Sequence, residues 1–202
     1  AGVDTFSFTG TLLAANSVAS NTTTVDGGAG TDIVSISTTG ATIVDADFDG
    51  FTSVETLTTT NGTNSITVGA KADASGIATF NLGTGADLLT LTDVDYDNAS
   101  TINGSAGGDR YILDETTVSV DTIVVSLLAG GIATNGDGFD GADNDGVVNN
   151  TTDDLTESTA ATAGAGTFIA GFDQGVDKIK FDGTLEAALE SAGTAVKVDT
   201  AG

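Results

Sequence analysis

Residues 27–35 read Gly27-Gly28-Ala29-Gly30-Thr31-Asp32-Ile33-Val34-Ser35. Three glycines in four positions allow a tight turn, because glycine adopts φ values that other residues avoid. Asp32 sets a short carboxylate at the end of that turn. Ile33 and Val34 then open a β segment that sends an apolar side chain into a core. Turn and strand together make one rung, so recurrence of the pattern predicts a solenoid. It does recur. Gly-x-Asp-x-(large apolar) occurs at Gly2-Val-Asp4-Thr-Phe6, Gly30-Thr-Asp32-Ile-Val34, Gly85-Ala-Asp87-Leu-Leu89, Gly107-Gly-Asp109-Arg-Tyr111 and Gly175-Val-Asp177-Lys-Ile179. Composition alone accounts for roughly one such match. Extended leftward, residues 82–90 (LGTGADLLT) differ from 27–35 in pattern only at the first Gly, and 104–112 (GSAGGDRYI) only at the second.

Between the motifs lie short β-like segments bounded by Gly, Asn and Asp: 6–9, 33–37, 54–60, 65–68, 77–82, 88–92 and 118–128. The last is the longest apolar stretch and is expected to be buried. Absence of Pro suits uninterrupted β ladders. One helix is expected, at 185–192 (LEAALESA), with Gly193 placed to end it. The expected fold is all-β: a parallel β-solenoid or irregular β-roll with Gly/Asp-rich turns and one short C-terminal helix. Residues 1–134 form the solenoid region, 135–160 an acidic loop, and 161–202 a C-terminal β unit carrying the helix.

Composition excludes much. The 202 residues include no Cys, His or Trp, which removes disulfides, thiolate chemistry, His-based acid–base catalysis and zinc sites that need His or Cys. Acidic residues number 29 against 5 basic, a formal net charge of −24. Five scattered cations cannot form a phosphate-binding stripe, so no nucleic-acid partner is expected. No apolar run is long enough to span a bilayer. Aromatics for stacking a sugar are sparse, and Ser or Thr nucleophiles lack a base beyond Lys71, Lys178, Lys180 and Lys197, so no enzymatic activity is expected. Of the acids, 24 are Asp and 5 are Glu. Asp favours turns and short-reach coordination of hard cations.

That preference gives the motif its chemistry. Turn carbonyls and one Asp carboxylate form an all-oxygen shell of the kind Ca²⁺ takes, and 27–35 matches the nine-residue calcium-binding repeat G-G-x-G-x-D-x-U-x in full. Here the chain resembles the RTX family of secreted bacterial proteins, whose nonapeptides build parallel β-rolls with calcium between turns. Residues 168–181 (FIAGFDQGVDKIKF) are similar to the stretch that follows RTX repeats. Ser53 to Leu57 (SVETL) is similar to a phrase of RTX-type surface-layer proteins and large adhesins. The resemblance implies Ca²⁺ ligands at Asp32, Asp87 and Asp109, with backbone oxygens around Gly27, Gly28, Gly30, Gly83, Gly85, Gly104 and Gly107. Asp177 is a further candidate.

Spacing departs from a regular β-roll. The motif aspartates lie 28, 55, 22 and 68 residues apart, so a shell shared between neighbouring rungs does not follow. Two other acidic groups are candidate cation sites. Asp93, Asp95 and Asp97 alternate at strand spacing, where like charges repel unless bridged. Asp137, Asp140, Asp143 and Asp145 lie in an acid-rich loop that lacks the first and twelfth ligands of an EF-hand.

The expected function is a secreted calcium-binding structural module that assembles with copies of itself in a bacterial surface layer or extracellular filament. Alternatives are the ligand-binding domain of an RTX adhesin, with a cell-surface glycan as partner, and the calcium-binding repeat region of a secreted hydrolase. The resemblance further implies an extracellular or cell-surface location reached by type I secretion. The half-motif at Gly2 to Phe6 suggests a chain cut within a longer array.

Overall fold

The computed structural model describes residues 2–14, 23–92, 96–105, 107–113, 119–125, 168–170 and 176–181. The expected helix at 185–192, the acidic loop, its two boundaries, and Asp93 and Asp95 lie outside the described residues.

The chain coils as a parallel β-solenoid. One sheet stacks seven strands in the order β1 (Thr5–Phe8), β3 (Ile33–Ile36), β6 (Thr56–Thr58), β8 (Thr79–Asn81), β10 (Thr101–Asn103), β12 (Thr122–Val125) and β14 (Lys178–Phe181). A second stacks β4 (Thr42–Ile43), β7 (Ser65–Val68), β9 (Leu88–Leu91), β11 (Arg110–Ile112) and β13 (Phe168–Ala170). A third side begins with β2 (Val25–Asp26) paired to β5 (Phe51–Thr52). Every pairing is parallel, and β13 and β14, which follow the acidic stretch, extend the two main sheets.

Strand alternation explains the core. In the large sheet Val34, Leu57, Phe80, Ile102 and Ile123 point inward in one register column and are fully buried. Ile43, Ile66, Leu89, Tyr111 and Ile169 form the matching column of the second sheet. Each such Ile, Leu or Phe contributes about 1.5–3 kcal/mol by leaving water. At the early coils Phe8, Phe48 and Phe51 make an aromatic cluster, with centroids 5.8 and 5.9 Å apart.

Two expectations need revision. The apolar run at 118–128 is not uniformly buried: Ile123 is, but Val120, ahead of β12, is exposed, and Val124 is half-exposed because a strand turns alternate residues outward. Short helices also occur where strand and turn were expected: α1 (Gly10–Ala14), α2 (Ala70–Ser75) and a 3₁₀ turn (Asp45–Phe48). These are too short to show a helical period in sequence. Coil-to-coil stacking holds them, since so short a helix is not stable alone.

Candidate functional site

The Gly-x-Asp motifs fall at the corners where the chain enters each main sheet. Residues 4, 32, 55, 78, 100, 121 and 177 precede the strands of the large sheet. Residues 41, 64, 87 and 109 precede those of the second. A backbone amide at such a corner faces the next coil just before the regular strand ladder begins, and it needs a partner when buried.

Carboxylates and one amide supply it. Asp32 Oδ1 accepts the Asp4 N–H at 2.7 Å, and Glu55 Oε2 accepts the Asp32 N–H at 2.7 Å. Further along this column Asp121 Oδ1 accepts from the Ser100 amide at 2.8 Å, and Asp177 Oδ1 from the Asp121 amide at 2.9 Å. In the second column Asn64 Oδ1 accepts the Ala41 N–H at 2.9 Å, Asp87 Oδ1 the Asn64 N–H at 2.7 Å, and Asp109 Oδ1 the Asp87 N–H at 3.1 Å. In every case the side chain reaches back one coil to the equivalent residue. Charge-assisted bonds of this kind contribute about 1.5–3 kcal/mol each.

The ladder resolves the uneven motif spacing. Its bonded residues lie 28, 23, 21 and 56 positions apart in the first column and 23, 23 and 22 in the second, each pair across one coil. Asp32 and Asp87 belong to different corners, so their separation is not a coil length. Asp87 and Asp109 occupy adjacent coils of one column, while Asp32 and Asp177 stand in the other column. Asp97 stands apart on the third side, exposed, with its amide donated to Asp73 Oδ1 at 3.0 Å.

Most of the described motif glycines have a steric reason. A Cβ on Gly30 would meet the Gly2 carbonyl, and one on Gly107 the Gly85 carbonyl, at φ values of +148° and +152°. Thus Gly30, Gly85 and Gly107 each stack directly on the glycine of the coil before. Gly27 lies over the Asp32 carboxylate, where a Cβ would meet Oδ2 at 2.6 Å and also press on the Ser53 carbonyl. Gly104 lies likewise over the Asp109 carboxylate and the Tyr111 hydroxyl. A Cβ on Gly83 would meet the Thr60 carbonyl oxygen at 2.9 Å, and Gly28 has open space about it at φ +79°.

The second carboxylate oxygens distinguish the three fullest motifs. Asp32 Oδ2 and Asp87 Oδ2 are buried with no hydrogen-bond partner. Asp109 Oδ2 instead accepts the Tyr111 hydroxyl at 3.1 Å. Burial pushes the Asp109 carboxyl up to about 6, with the neighbouring Asp87 charge adding to the rise and its bonds from the Asp87 amide and Tyr111 opposing it. Burial raises Asp87 as well, against hydrogen bonds from Asn64.

Two of these corners carry a buried carboxylate oxygen that no donor shares, which is the hard donor type that Ca²⁺ takes. Among the described residues no three acidic side chains converge. A cation at Asp32 or Asp87 would therefore be held by one carboxylate and backbone carbonyls, the arrangement that the nonapeptide resemblance implies.

Three ladder residues escaped the motif search: Glu55, Asn64 and Asp121. Asn64 was visible in principle, since Gly62-Thr-Asn64-Ser-Ile66 is the motif with Asn in place of Asp. Glu55 is the acid of SVETL, whose Val54 and Leu57 are both buried.

The chain matches no family model, no curated protein and no solved structure.

Proposed function

We propose that this chain is a secreted, calcium-binding structural module that assembles with copies of itself in a bacterial surface layer or extracellular filament. The observation that carries the reading is the pair of buried, unpartnered carboxylate oxygens at Asp32 and Asp87. A buried anionic oxygen without a donor is costly, and a divalent cation relieves that cost while offsetting a net charge of −24. Because such a site exists only in the folded chain, metal binding is folding energy. Low cytosolic calcium would then leave the chain unfolded for export, and external calcium would set the coils.

A calcium titration from EDTA, followed by circular dichroism and light scattering with magnesium as control, tests this. Expected is a gain of β signal with calcium but not magnesium, followed by rising scattering. A spectrum fully folded in EDTA and unmoved by calcium would sink the metal assignment. Calcium-dependent folding without scattering would remove the self-assembly half and favour an adhesin module.

A further inference from the structure

The outward face of the large sheet carries a regular polar lattice. One register column reads Thr5, Ile33, Thr56, Thr79, Thr101, Thr122 and Lys178. The next reads Ser7, Ser35, Thr58, Asn81, Asn103, Val124 and Lys180. The pairings run without a slip or bulge, so side chains repeat about every 4.8 Å across strands and about 6.7 Å along them. Thr56 is buried, Thr5, Ser7 and Thr101 are exposed, and the other polar members before the lysines are half-exposed.

The second sheet provides a comparison within the same molecule. Its outward positions run Thr42, Ser65, Leu88, Arg110 and Thr67, Thr90, Ile112, a mixed surface with no sustained column. Thr is common throughout this chain, yet among the described strands the longest hydroxyl and amide runs, Thr56 to Thr122 and Ser7 to Asn103, lie on the face of the large sheet, with Ile33 and Val124 as its apolar members. Among the described residues that face holds no acid, in a chain with 29 of them, and its charges are the two lysines at one end. Elsewhere, threonine hydroxyls are spent on the fold: those of Thr59, Thr60 and Thr92 each bond a backbone carbonyl at 2.9 Å. Those of Thr5, Thr79 and Thr101 make no bond to described residues.

We propose that the outward Thr/Ser/Asn face of the seven-stranded sheet is an ice-binding surface. A rigid two-dimensional array of methyl and hydroxyl groups, uncharged over most of its length, orders water at repeating positions and so meets a repeating neutral lattice of hydrogen-bonding oxygens. A second copy of the chain is a poorer occupant. Seven strands of about four residues present roughly 400 Å², half of what each partner of a stable protein interface buries. A polysaccharide surface is poorer too, because both tyrosines are buried and there is no Trp on which a sugar ring could stack.

The test is partition of the full chain into slowly grown ice, run in calcium and in EDTA with circular dichroism in each buffer. Failure of the calcium reading is thereby separated from failure of this one. The wild type should enter ice above an inert control protein wherever it is folded. Thr79→Tyr with Thr101→Tyr should lower the incorporated fraction severalfold, while Thr67→Tyr with Thr90→Tyr on the second sheet should leave it unchanged. Should the first pair unfold the chain, Asn81→Lys with Asn103→Lys puts charge on the same face and should give the same loss. Rejection of the folded wild type by ice overturns the proposal, as does equal loss from both faces. So does retention on insoluble chitin or cellulose without ice affinity, which would make the lattice a polysaccharide.

Discussion

At the residue scale, the corner positions do two separable things, and substitutions distinguish them. Gly107 combines a φ of +152° with a Cβ position against the Gly85 carbonyl. Gly107→Ala should therefore cost at least about 2 kcal/mol, through strain and forced separation of two coils. Gly2 has nothing within 4 Å of its Cβ position, so Gly2→Ala should change stability by less than about 0.5 kcal/mol. Urea midpoints of the two variants give the contrast directly. Asn64 is the polar counterpart. It accepts from Ala41 and donates to the Leu82 carbonyl and to Asp87 Oδ1, at 2.9, 3.2 and 2.8 Å. Asn64→Ala strands the buried Ala41 amide and should cost about 2–4 kcal/mol in the same assay. Asn64→Asp keeps that acceptor but stacks a second charge on Asp87, so its deficit should shrink as pH falls.

At the scale of elements, neighbouring coils complete one another's short helices. Helix α2 has six residues, and its first amides are met by Asp45 of the coil before. Asp45 Oδ1 accepts from Gly69, Lys71 and Ala72 at 2.8, 3.1 and 3.0 Å. At the other end Gly76, at φ +96°, turns its N–H back to the Ala72 and Asp73 carbonyls. Asp73 repeats the device by accepting the amides of Asp97 and Asn98 at 3.0 and 3.1 Å. Asp45→Ala should cost about 1–2 kcal/mol and raise hydrogen exchange at residues 69–72, whereas Asp45→Asn should cost less. Equal exchange in both variants and the wild type would show that stacking alone holds α2.

At the scale of the whole molecule, the ladders concentrate negative charge in the interior, and acid should strengthen the fold before it weakens it. Asp109 ionises near 4 in the unfolded chain and at about 6 when folded, chiefly through burial. Between those values the folded state holds more protons, so stability falls as pH rises across the window. The contribution is fully present below about 4 and is lost as pH rises through about 6. In EDTA, the denaturant midpoint should therefore climb from pH 7.5 to pH 5. Asp109→Asn should flatten part of that climb, because the amide keeps an acceptor for the Asp87 N–H and carries no charge to neutralise. An unchanged pH profile in the variant would show that other carboxylates govern the response.

The sequence by itself determined the solenoid class. Gly-x-Asp followed by an apolar strand is a local rule, since one residue type makes the close stack, the next ends the turn and the third enters the core. Strand segments such as 65–68 were legible for the same reason: period-two alternation is a nearest-neighbour property. What the tertiary structure decided was which residues meet between coils. Asp32 bonds the Asp4 amide and is itself served by Glu55, 28 and 23 positions away, and no local pattern announces either partner. Only the register brought the threonines of the large sheet into one column and set Asp45 beneath α2. Equivalent corner residues lie 21 to 28 positions apart up to Asp121 and 56 apart between Asp121 and Asp177, so a fixed sequence period does not exist to be found. The strand ladder absorbs that variation because insertions at a corner leave the parallel hydrogen bonds on either side intact.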